Sequence, residues 1–183
     1  ISFESGKVNA LVGKNGSGKS TLIKIFAGAI KPTSGDIFLT EKKLNFNSTA
    51  EAFQKGIATV YQEMSLVPGL SVAENIFLNR MPKKFGSIDW AKSYQMADEI
   101  LKKMKVKIDP RETLHRLSMW QMQVVEISKA LSWNPKAILL DEPTSALAQN
   151  EVKSLFEAVK ALRDQGVIVI YITHKLQELP QIA

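Results

Sequence analysis

Residues 8–21 read VNALVGKNGSGKST. An apolar run, a Gly-rich loop and the first turn of an apolar-striped helix follow one another with no spacer. Val8–Val12 predicts a short buried strand that Gly13 ends, and Leu22, Ile23 and Phe26 form one stripe of a helix predicted over Lys19–Ala29. Strand, tight loop and helix in direct succession constrain the chain more than any other stretch. They demand a sheet whose strands alternate with helices.

The remaining segments carry the same alternation. Strands are predicted over Asp36–Thr40, Ile57–Tyr61, Ala137–Leu140 and Val167–Thr173. Thr49 is placed to cap a short helix through Lys55, and Glu151–Arg163 is an amphipathic helix that Gly166 ends. Between Ser71 and Leu131 the signals are almost wholly helical. Ser71 with Glu74 matches a capping box, and Asp89 can cap a helix in which Ala97, Ile100, Leu101 and Met104 share a face. The expected fold is an α/β parallel sheet with a helical block inserted at about 63–133.

The loop GKNGSGKS at 13–20 fits the spacing G-x-x-x-x-G-K-[ST] between a strand and a helix. Gly13, Gly16 and Gly18 let the backbone curl, so that N–H groups including those of Asn15 and Ser17 face one anion. The helix start adds its positive dipole end. Lys19 supplies a mobile charge for the β- and γ-phosphates. Ser20 can place its hydroxyl on Mg²⁺, and Thr21 can reach a further phosphate oxygen. A nucleoside triphosphate is therefore the expected ligand.

Three further strand ends carry suitable chemistry. AILLDEP at 137–143 ends a buried strand on a carboxylate pair, at the edge of an α/β sheet where ligands bind. Asp141 can hold Mg²⁺ through water, and Glu142 can polarise an attacking water. Gln62 ends the strand ATVYQ and can touch Mg²⁺ or that water. His174 ends the last strand, in YITHK, and can hydrogen-bond a γ-phosphate. His115 has no comparable context.

Composition removes several classes. With no cysteine, disulfides and thiolate metal sites are excluded. The longest apolar run, VIVIYI at 167–172, falls far short of the roughly 20 residues that a membrane helix needs. The net charge of +6 comes from scattered basic residues, with small knots such as Lys102, Lys103, Lys105 and Lys107. That pattern suits solvated faces, and no nucleic-acid partner is expected. The chain opens on Ile1 and stops in mid-pattern at Ala183, so a longer parent chain is expected.

Taken in order, these residues resemble the ATP-binding subunits of ABC transporters, over essentially the whole chain. Gly13–Ser20 matches the Walker A loop and Gln62 the Q-loop. LSMWQ at 117–121 stands where the signature LSGGQ belongs. Asp141-Glu142 matches the Walker B end, Ser145–Ala148 the D-loop and His174 the switch histidine. QEMSLVPGLSVAENIFL (62–78), VVEISKALS (124–132) and DEPTSAL (141–147) are similar to the first cassette of bacterial monosaccharide importers of the ribose/galactose/xylose type.

The resemblance implies a P-loop NTPase (RecA-like) parallel-sheet core over 1–62 and 134–183, with a small antiparallel β portion and a helical subdomain over 63–133. It implies ATP and Mg²⁺ as ligands, with hydrolysis at Glu142, His174 and Gln62. It also implies a second nucleotide-binding cassette, in tandem or as a dimer, a membrane permease that seats a helix near Glu63–Asn75, and a place on the cytoplasmic face of a bacterial inner membrane. Compared with the family, the upstream strand bearing an adenine-stacking aromatic is missing, and so are core strands after His174.

One departure falls inside the signature. In the family, the serine and glycines of this motif bind the γ-phosphate held by the opposite cassette. Ser118 and Gln121 are in place, but Trp120 replaces the second glycine. Glycine permits close approach and unusual backbone angles; an indole permits neither. An impaired signature is expected, unless the indole swings aside and braces the helical block. A second departure is Ala148, where many family members have an acid. Three functions stay open on these residues: a transport-coupled ATPase, a MgATP-binding clamp with little turnover, and a soluble ABC protein of translation or DNA repair. Glu142 favours the first over the second.

Overall fold

The computed structural model describes residues 1–14 and 16–182. The first part of the chain forms β1 (Val8–Val12), α1 (Lys19–Phe26), β2 (Ile37–Leu39), β3 (Lys42–Leu44), α2 (Thr49–Gln54) and β4 (Ile57–Val60). Next come α3 (Val72–Ile76), β5 (Lys83–Lys84), β6 (Ser87–Ile88), α4 (Trp90–Lys103) and α5 (Met119–Leu131). The last part forms β7 (Ala137–Asp141), α6 (Gln149–Arg163), β8 (Ile168–Thr173) and α7 (Leu179–Ile182).

The main sheet is parallel, in the order β1-β8-β7-β4. Its inner strands read as continuous apolar runs because both faces are covered. Successive side chains go to opposite faces. Ile57, Ala137, Leu139, Ile170 and Ile172 pack with Ile23 of α1, whereas Ala58, Ile138, Leu140, Val169 and Tyr171 join the larger cluster with α3, α5 and α6. The sheet is thus a wall between two apolar layers. Burying the Ile, Leu and Val side chains among them contributes roughly 1.5–3 kcal/mol each.

Two hairpins escape the sequence patterns. The strand expected over Asp36–Thr40 is half of an antiparallel pair, β2–β3, whose two loop residues Thr40 and Glu41 have φ of 48° and 65°. The β5–β6 pair is built likewise on Phe85 (φ 50°) and Gly86 (φ 85°), inside a region that reads as helical. Positive φ at both central residues is what a tight hairpin needs. Thr-Glu and Phe-Gly do not announce it as Asn-Gly would.

Helix starts are set by side chains that satisfy free N–H groups. The Ser71–Glu74 box forms as expected, with the Ser71 N–H on Glu74 Oε2 at 2.8 Å and the Glu74 N–H on Ser71 Oγ at 3.3 Å. Asp89 caps α4 by accepting the Lys92 N–H at 3.0 Å. Helix α2 is capped by Ser48 rather than Thr49: the Glu51 N–H donates to Ser48 Oγ at 3.2 Å. Helix α6 begins at Gln149, not Glu151, because the Glu151 carboxylate reaches back to the Ala148 N–H at 3.0 Å. Among the described residues no helix is long and apolar enough to cross a membrane.

Candidate functional site

Register brings the singled-out residues to one edge. Val12 pairs with Thr173, Ile172 with Asp141, and Leu140 with Val60. The residues that follow these rungs are therefore neighbours across the carboxyl end of the sheet. They are Gly13, His174, Glu142 and the Tyr61-Gln62 pair. An apolar cavity of about 430 Å³ against the other ends of the strands, bounded by Phe26, Ile57, Ala137 and Ile168, contains none of them.

The loop after β1 is shaped by its glycines. A Cβ on Gly13 would lie 2.5 Å from Ser17 Oγ, so a side chain at this position would push the Ser17 hydroxyl out of its place in the loop. Gly18 is the N-cap of α1 with φ 91°, a left-handed conformation that glycine adopts at no steric cost. The first turn of α1 has no acidic side chain, so its positive end is uncompensated. Lys19 Nζ curls back over the loop and donates to the Gly13 carbonyl at 2.6 Å and the Lys14 carbonyl at 3.0 Å. Gly16, Ser17, Ser20 and Thr21 are exposed around it. Asn15, expected to line the same loop, lies outside the described residues.

Across from the loop, burial and then the neighbouring Glu142 raise the carboxyl pKa of Asp141, while Lys19 opposes the shift. Two carboxylates thus share one nearby ammonium, an imbalance that a divalent cation would relieve. The oxygens that can serve it are the Ser20 hydroxyl, the Asp141 carboxylate and the Gln62 amide. Few, hard, oxygen-only donors fit Mg²⁺, which keeps waters and takes the rest of its shell from phosphate. Among the described residues no cluster of three acidic or histidine side chains offers an all-protein metal cage.

Glu142 has φ 47°, a left-handed conformation that costs a non-glycine residue about 1–3 kcal/mol. Two contacts hold it there. Its N–H donates to the Ile172 carbonyl at 3.0 Å, and its Oε1 lies 2.7 Å from His174 Nδ1. The Glu142 side chain is 19% exposed and that of His174 51%, so the pair faces the open edge of the sheet.

Gln62 is exposed just beyond β4. Beside it, the Tyr61 phenol has its pKa raised by burial and then by the Asp141 carboxylate, which puts Tyr61 in the electrostatic environment of the site. In the sequence this tyrosine reads only as the last apolar residue of a strand, with no signal of its own. The loop after Gln62 is pinned to α5. Ser65 donates to the Glu126 carboxylate through its N–H at 3.3 Å and its hydroxyl at 2.8 Å, and Lys129 Nζ donates to the Ser65 carbonyl and hydroxyl at 2.9 Å each.

Ser118 and Gln121 stand apart from the Gly-rich loop, at the start of α5. Their hydrogen bonds join them to each other: Gln121 Oε1 accepts the Ser118 N–H at 2.9 Å and the Ser118 hydroxyl at 3.2 Å. Trp120 lies in the first turn of α5, partly buried against the larger apolar cluster. Among the described residues it is not one of those with positive φ. The indole occupies ordinary helix and braces the helical layer.

A family model for ABC transporters matches residues 1–145. The arabinose import ATP-binding protein AraG of Vibrio parahaemolyticus is 46% identical over 98% of this chain and 36% of its own length. The ribose import ATP-binding protein RbsA 1 of Rubrobacter xylanophilus is 44% identical over 100% of this chain and 37% of its own. The chain thus spans a little over a third of the curated relatives it matches. The ADP conformation of MJ1267, an ATP-binding cassette of an ABC transporter, superposes with a TM-score of 0.85 at 30% identity, over 100% of this chain and 76% of that one. The loop, the carboxylate pair and the strand-end histidine thus stand in a cassette fold, and the chain belongs to the ABC transporter family.

Proposed function

We propose that this cassette binds MgATP at the carboxyl edge of its sheet and hydrolyses it to drive import of a monosaccharide. The reading rests above all on the Glu142–His174 pair, 2.7 Å apart beside the Gly-rich loop. The sugar-import relatives support the transport role.

In this reading the N–H groups of the 13–20 loop, with Asn15 among them, cradle the phosphates and the α1 dipole favours their charge. Lys19 leaves the Gly13 and Lys14 carbonyls for the β- and γ-phosphates, and Thr21 reaches a further phosphate oxygen. Ser20, Asp141 and Gln62 would hold Mg²⁺, which supplies charge neutralisation at the transferring phosphoryl group. Glu142 accepts the proton of the attacking water. His174 keeps the Glu142 carboxylate in place through Nδ1, and its Nε2 is left for the γ-phosphate.

Ser118, Gln121 and the α5 start serve the nucleotide of a second cassette, in tandem or as a dimer. Residues 63–133 act as the helical subdomain that carries this motif between the core segments 1–62 and 134–183. A membrane permease seats a helix near Glu63–Asn75, on the cytoplasmic face of the inner membrane. No nucleic acid takes part.

The test is phosphate release by the intact transporter with Glu142→Gln. Turnover should fall at least about 100-fold while MgATP binding persists. Undiminished turnover would remove Glu142 from the reaction. The clamp reading is disfavoured by Glu142 itself, since a pure binder has no use for an acid held in a costly conformation at the phosphate edge.

A further inference from the structure

Four residues converge on the carboxylate of Glu178, which is only 4% exposed. Thr144 Oγ1 donates to Oε1 at 2.6 Å, and the Tyr171 hydroxyl and Thr173 Oγ1 donate to Oε2 at 2.8 and 3.0 Å. Lys175 Nζ stands 3.7 Å from Oε1 and donates to the Thr144 carbonyl at 3.1 Å. The Lys175 N–H closes the ring by donating to Thr173 Oγ1 at 2.9 Å.

Packing alone does not explain this arrangement. A buried carboxylate costs several kcal/mol to desolvate, and an apolar residue of the same size usually serves stability as well or better. What distinguishes Glu178 is the position of its partners in the chain. Thr173 and Lys175 flank His174 on both sides. Thr144 lies two residues beyond Glu142, at the start of the turn into α6. The carboxylate therefore ties together the two segments that carry the strand-end pair, from behind the sheet edge. Burial, foremost, pushes the Tyr171 phenol well above its usual range, so its hydroxyl remains a donor to the carboxylate.

We propose that Glu178 is a positioning residue that holds His174 and Glu142 in register with each other. The proposal rests on the roles given above to His174 and Glu142. Glu178 touches neither directly. It acts by fixing the backbone on which both are mounted. A small misplacement of such groups slows the chemical step far more than it weakens ground-state binding.

The experiment compares the intact transporter with Glu178→Gln, Glu178→Ala and Tyr171→Phe, reading kcat for ATP hydrolysis, affinity for a fluorescent ATP analogue with Mg²⁺, and Tm. Glu178→Gln should lower kcat about tenfold or more with nucleotide affinity within about twofold of the parent. Glu178→Ala should lose more. Tyr171→Phe keeps the ring and its packing, removes one donor and should lower kcat severalfold at nearly unchanged Tm. This variant decides the matter if the Glu178 variants fail to fold. Parental kcat in Glu178→Gln or in Tyr171→Phe would overturn the proposal while leaving the ATPase reading intact. A parent protein that turns over no faster than Glu142→Gln would instead refute the ATPase reading, and the positioning role with it.

Discussion

His174 Nδ1 lies 2.7 Å from Glu142 Oε1, although 32 residues separate them in sequence. Parallel pairing of β7 with β8 makes them neighbours, and a left-handed turn at Glu142 aims its carboxylate along the sheet edge. His174→Ala removes both the tether on Glu142 and the free imidazole nitrogen. Turnover should fall about 100-fold with MgATP affinity retained, as measured by phosphate release beside equilibrium nucleotide binding. Loss of binding in step with turnover would place His174 in ground-state recognition instead.

The Asp141 carboxyl titrates above the ordinary aspartate range, because of burial first and the neighbouring Glu142 second. The folded chain then keeps a proton that the unfolded chain has already released. Stability must fall as pH rises from about 3.9 through the raised folded value. Asp141→Asn abolishes that loss. Without added nucleotide or metal, the variant should melt above its parent at pH 7, and the gap should close below about pH 4. Thermal melts over a pH series check this, and a variant less stable than its parent at neutral pH would contradict it.

Trp120 packs on the helical layer from the first turn of α5. Trp120→Gly removes that packing and adds a glycine to the helix, so it should cost about 2–4 kcal/mol in denaturant unfolding. Turnover should not rise. A severalfold gain in hydrolysis would instead restore the impaired signature that the sequence suggested.

Ser65 is held between Glu126 and Lys129, which fastens the loop after Gln62 to the helix that begins with Ser118. Glu126 is 8% exposed. Glu126→Ala should cost about 1–3 kcal/mol and release this loop. Hydrogen exchange should speed up over residues 62–70 while the sheet stays protected. Unchanged exchange there would show that the loop is held by other means.

Much of the fold follows from residue order alone. Val8–Val12, the glycine loop and the apolar stripe of α1 can adopt little else, because glycine spacing and hydrophobic period agree with one another. The carboxylates at the end of AILLD and the histidine at the end of YIT were legible for the same reason: a buried apolar run must stop where its polar residues meet water. The caps at Ser71 and Asp89 were legible because their chemistry is local. The hairpins at Thr40-Glu41 and Phe85-Gly86 were not, since positive φ at ordinary residues is imposed by the strands they join. Nor was the company kept by Tyr61, Trp120 and Glu178. Each takes its role from partners distant in sequence: the Asp141 field, the helical layer, and three hydroxyls from β8 and the β7–α6 turn. Sequence determined which groups end the strands. Only the parallel register decided which of them meet, because the interactions that bring them together depend on distance in space.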